Sequence, residues 1–71
     1  MWIEIKSKCY NFNKIQVFNY WLPEEGGKPL MLLVLDDLTE GTFIEKIPYK
    51  SKKQVIQDYN KIKELLEVRS V

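Results

Sequence analysis

The sequence predicts an α+β domain: a four-stranded antiparallel meander with one C-terminal α-helix packed on one face. Three observations carry that expectation. Up to Pro48 the chain is a series of short segments rich in β-branched and aromatic residues, the types that fit a pleated, half-buried surface. Clusters of turn formers, which hold all three glycines, separate these segments. Beyond Pro48 one uninterrupted segment repeats apolar residues at spacings of three and four, the period of a helix with one buried stripe. Short connections between strands favour antiparallel neighbours, so a meander is the simplest topology.

Residues 2–6 (WIEIK) alternate, with Ile3 and Ile5 on one face and Trp2, Glu4 and Lys6 on the other. Residues 7–13 (SKCYNFN) read as a turn, because Asn11 and Asn13 can bond local backbone and tolerate left-handed geometry. Residues 14–22 (KIQVFNYWL) form the second strand. Ile15, Val17 and Trp21 share one face by parity, whereas Phe18, Tyr20 and Leu22 take the other. A strand apolar on both sides is either central and covered twice or contains a β-bulge. Residues 23–29 (PEEGGKP) are a loop, with a proline at each end and a glycine pair inside. Leu30 to Leu35 is an unbroken apolar strand. Asp36 to Gly41 is the next turn, and residues 42–47 (TFIEKI) are the fourth strand, ended by Pro48. Ser51 followed by Gln54 reads as a capping box. The helix should then run over about 52–67, burying Val55, Ile56, Tyr59, Ile62, Leu65 and Leu66.

The inventory narrows the chemistry. The chain has 71 residues, a formal charge of +1, no histidine, one cysteine (Cys9), one arginine (Arg69) and no alanine. That length fits one domain, residues 1–71, too small for a cleft between lobes. Without histidine the chain offers no Ser-His, Cys-His or His-metal constellation. One cysteine closes no internal disulfide, which suits a reducing cytoplasm. Asp36, Asp37 and Glu40 do not follow the alternation of a calcium loop and read as turn acids. Cys9 has no histidine beside it to lower its pKa and reads as a buried or edge-located structural thiol. The opening residues hold no apolar run of signal-peptide length. The longest run, Leu30 to Leu35, is far short of the roughly 20 residues that span a bilayer. The expectation is a cytoplasmic, non-enzymatic domain without metal or cofactor and without membrane contact.

One helix covers one face of a four-stranded sheet. Whichever parity Leu30 to Leu35 takes, that strand presents three aliphatic side chains to each face. With Trp2, Phe18, Tyr20 and Ile44 added, the face away from the helix is expected to be an apolar interface, for a homodimer or for another protein. The bland alternative is that residues 7–13 or the tail, 68–71, cover it. A second candidate lies at the helix start, where Lys50, Ser51, Lys52 and Lys53 would offer cations and free N–H groups to an anion. Together with the sheet aromatics and Lys46, that region gives the ingredients of a single-strand nucleic-acid platform. The charge distribution weighs against it. Residues 42–71 carry a net +3, but residues 23–41 carry −4, whereas a nucleic-acid binder shows a dominant basic surface.

The Met1-Trp2-Ile3 opening, Asn11-Phe12-Asn13-Lys14-Ile15, and Ile47-Pro48-Tyr49-Lys50-Ser51 before a lysine-rich final helix resemble short uncharacterised sheet-then-helix proteins of Gram-positive phages and mobile elements. The Lys-, Asn- and Ile-rich, alanine-free composition is similar to that of genes from AT-rich genomes. The resemblance implies no activity and transfers no functional residue. It implies a role of a general kind: binding a host protein.

Overall fold

A computed structural model gives the structure of residues 1–37 and 41–71. The central part of the expected turn, Leu38 to Glu40, lies outside the described residues. The domain is α+β with a C-terminal helix against a sheet, but the single four-stranded meander is not formed. The described residues make five strands in two sheets.

The difference begins at residues 6 and 7. Strand β1 (Trp2–Ile5) pairs antiparallel with β2 (Lys8–Asn11), Ile5 opposite Lys8 and Trp2 opposite Asn11. Only Lys6 and Ser7 connect them, with φ of 50° and 70°. Two left-handed residues between paired strands are the type I′ arrangement, whose twist matches a hairpin. Asn-Gly is its usual signal. Lys-Ser is a weak one, so residues 7–13 read as a turn when they hold a strand. The overlooked clue is the alternation in which Tyr10 and Phe12 are buried. The Phe12 N–H donates to Met1 O at 2.8 Å and continues the ladder. Asn11 then builds the turn expected of it, accepting from the Asn13 N–H at 3.1 Å.

The larger sheet has the order β3 (Ile15–Trp21), β4 (Leu30–Asp37), β5 (Gly41–Pro48), all antiparallel. The strand at residues 14–22 is therefore an edge strand, and of the two expected explanations for its apolar faces the bulge holds. The register shifts between Ile15, opposite Leu35, and Val17, opposite Val34. One extra residue reverses parity. Ile15 thus shares a face with Phe18 and Tyr20, while Val17, Asn19 and Trp21 point the other way. In β4, Met31 and Leu33 are fully buried. Leu30, Leu32 and Val34 alternate with them onto the opposite face.

Helix α1 (Lys52–Leu65) and the β1–β2 hairpin both lie on the Met31–Leu33 face. The helix takes the β3 side, where the Tyr59 ring meets Phe18 at 5.3 Å and Tyr20 at 4.8 Å between centroids. The hairpin takes the β5 side. Tyr10 Oη and Lys8 Nζ each lie 3.5 Å from Glu45 Oε1, and Lys6 Nζ donates to Pro48 O at 2.6 Å. Val55 and Ile62 of the helix close the core against Ile3, Ile5, Ile47 and Tyr49.

The helix begins where its cap predicts. Ser51 is extended (φ −140°, ψ 151°), and its Oγ accepts from the Gln54 N–H at 3.1 Å. Gln54 turns its own side chain forward to Asp58 Oδ1 at 3.2 Å, so this half of the capping box does not close back on Ser51. The helix stops earlier than expected. Glu67 adopts φ 55°, its N–H donates to Glu64 O at 3.1 Å, and the Val68 N–H donates to Lys63 O at 3.0 Å. This is a Schellman ending with glutamate where glycine is usual. The loop before β4 depends on Gly27, because a Cβ there would sit 2.6 Å from Pro23 Cβ.

Candidate functional site

With helix and hairpin on one side, the other side of β3-β4-β5 has no cover among the described residues. Its first row is Val17, Val34 and Ile44, set by the register across the three strands. The next row is Asn19, Leu32 and Lys46, and the last is Trp21, Leu30 and Pro48. Val17 is 53% exposed, Trp21 50% and Ile44 55%. The β4 side chains between them are half-buried by their neighbours. The result is a continuous apolar strip. At one end Gln16 Nε2 donates to Asp36 Oδ2 at 2.9 Å; Asp36, expected in a turn, lies in β4 opposite Thr42. Asn19 Oδ1 accepts from the Tyr20 N–H at 2.9 Å.

The four residues expected at an interface do not come together. Ile44 is on the open face. Phe18 and Tyr20 are on the opposite face, half-buried against Tyr59, because the bulge and the side chosen by the helix both place them inward. Trp2 is 69% exposed, but it stands on the outward side of the hairpin, alternating with buried Ile3. The residues missed were Val17 and Trp21; Leu30, Leu32 and Val34 are the parity of Leu30 to Leu35 that the sequence left open. Their shared parity was visible in the sequence; which face the helix would take was not. Residues 7–13 do not cover this face as the bland alternative required; Tyr10 and Phe12 pack on the helix side of the sheet.

At the helix start, Lys50, Ser51, Lys52 and Lys53 are all exposed. The fold adds Lys6 from the hairpin turn. Lys6, Tyr49, Lys50, Ser51, Gln54 and Asp58 line an open depression of about 310 Å3. Its polar groups are largely engaged with one another. Ser51 Oγ caps the helix, Lys6 Nζ is held by Pro48 O and lies 4.8 Å from the Tyr49 ring centroid, and Asp58 adds a carboxylate. The Tyr49 hydroxyl donates to Asp58 Oδ2 at 2.7 Å. Burial and then that carboxylate hold the Tyr49 hydroxyl well above its ordinary pKa. Tyr10 is raised in the same way by burial and Glu45. Lys8–Glu45 is the one ion pair among the described residues.

Among the described residues no three metal-ligating side chains converge, and no helix is long and apolar enough to cross a membrane. Cys9 is exposed on β2, an edge strand of the two-stranded sheet, which is the edge-located of the two expected placements. Comparison of the chain with protein-family models, with curated proteins and with solved structures gives no match.

Proposed function

We propose that the chain is a small non-enzymatic protein-binding module that works through the open face of β3-β4-β5, as a homodimer or against a host protein, in the manner of a phage or mobile-element accessory factor. The observation that carries this reading is that the helix and the hairpin share one face and leave an apolar strip with half-exposed Val17, Trp21 and Ile44 on the other. Water contact with such a strip is unfavourable, and strips of this kind mark interaction surfaces. Three strands about 4.8 Å apart, over about seven residues, give a footprint of a few hundred Å2. Covering it with a second copy removes on the order of 1,000 Å2 in total, the low end for specific interfaces. A weak, reversible association is the expectation.

The competing nucleic-acid reading loses ground with Phe18 and Tyr20 turned inward. Among the described residues Trp21 is the one aromatic ring on the open face, where a platform needs several for successive bases.

Sedimentation equilibrium at high micromolar concentration tests the proposal. The wild type should show a mass above the monomer. Val17→Lys with Ile44→Lys should be monomeric with an unchanged far-ultraviolet spectrum, since both side chains are already half in water. A monomeric wild type, with no change in tryptophan fluorescence on adding partner protein, counts against the open face as a binding surface.

A further inference from the structure

Building on the self-association reading above, we infer that the occupant of the open face is a second copy of this chain, related by a two-fold axis running along β4, so that β3 of each copy lies over β5 of the other. Symmetric dimers use one patch twice, so the patch must complement itself. Among two-fold axes in the plane of the face, those along and across the strands stack the sheets with their strands aligned, and the polar side chains of the middle row separate the two. That row places Asn19 on one edge strand, Leu32 at the centre and Lys46 on the other edge strand.

An axis across the strands through this row would set Lys46 over Lys46 and Asn19 over Asn19. Two ammonium groups would then face each other while losing water, which is costly. The axis along β4 sets Lys46 over Asn19, twice by symmetry. Asn19 Oδ1 already accepts from the Tyr20 N–H, but an amide oxygen has a second lone pair for an ammonium donor. Leu32 meets its own counterpart on the axis, the driest position. In the neighbouring row Val17 falls over Ile44, and in the last row the Trp21 ring falls over Pro48. Both polar side chains stand on edge strands, so the lysine head keeps partial contact with water while its stem lies along apolar surface. Sheets stacked in this way keep their strands within about 30° of each other, which preserves these pairings near the axis.

Asn19→Asp provides a test in which the two axes give opposite signs. The aspartate keeps the oxygen that accepts from Tyr20, so the fold is retained. With the axis along β4, each new carboxylate faces Lys46, and self-association at low salt should tighten about threefold to tenfold and lose that gain at high salt. With the axis across the strands, carboxylate faces carboxylate and association weakens. Weaker association would overturn the arrangement but leave self-association standing; a wild type that stays monomeric would overturn both. A second measurement uses a Cys9→Ser background and a short bismaleimide reagent. Asn19→Cys mixed with Lys46→Cys should cross-link, and neither should do so alone. Efficient cross-linking of Lys46→Cys with itself would overturn the arrangement.

Discussion

Tyr49→Phe isolates a single hydroxyl. Tyr49 is 1% exposed, and its ring holds the same place in either variant, packed in the core with Lys6 Nζ 4.8 Å from its centroid. What is lost is the 2.7 Å bond to Asp58. Hydrogen bonds to charged groups contribute about 1.5–3 kcal/mol. Asp58 is half-buried and keeps its bond from Gln54, so the lower end applies, about 1.5 kcal/mol. In a domain of this size that corresponds to a fall in Tm of roughly 6–12 °C. The pH dependence is a second signature. The folded hydroxyl keeps its proton above the ordinary value of 10.0, whereas the unfolded one loses it there. Its contribution is therefore complete below pH 10 and declines as pH rises beyond it, by at most about 1.4 kcal/mol per unit. Tyr10 adds a decline of the same sign, but it and the lysines are common to both proteins. Urea unfolding followed by circular dichroism should show a constant gap between wild type and variant up to pH 10 and a narrowing gap above it. Equal stabilities at pH 7, or a gap that stays constant as pH passes 10, would show that the Tyr49–Asp58 bond does not stabilise the fold.

Ser51→Ala removes the acceptor of the Gln54 N–H and should cost about 1 kcal/mol by the same unfolding assay. Glu67→Gly should stabilise by about 0.5–1 kcal/mol, because glycine adopts φ near 55° without the Cβ clash that glutamate suffers there; a lower Tm would show that the Schellman ending is not formed in solution.

The local features were legible. The cap at Ser51, the strand content of 14–22, 30–35 and 42–47, and the loop at 23–29 all follow from residues close together in sequence. So did the central fact about the candidate site, that Leu30 to Leu35 supplies aliphatic side chains to both faces. The hairpin was legible only in part, since its alternation was present but its turn residues, Lys6 and Ser7, are poor left-handed formers. The identity of the interface residues was not legible, because it rests on two decisions made across the chain.

Local patterns in the chain already imply a small α+β domain with more apolar sheet surface than one helix can cover. Tertiary structure decided where the surplus lies. A one-residue bulge at Gln16 reversed the faces of β3, and the hairpin joined the helix on the Met31–Leu33 side instead of covering the other. In a strand, side chains repeat every two residues, so a single inserted residue exchanges core and surface. Pairing between distant segments fixes that register, and no local pattern contains it. Phe18 and Tyr20 became core, and Val17, Trp21 and Ile44 were left to face water or a partner.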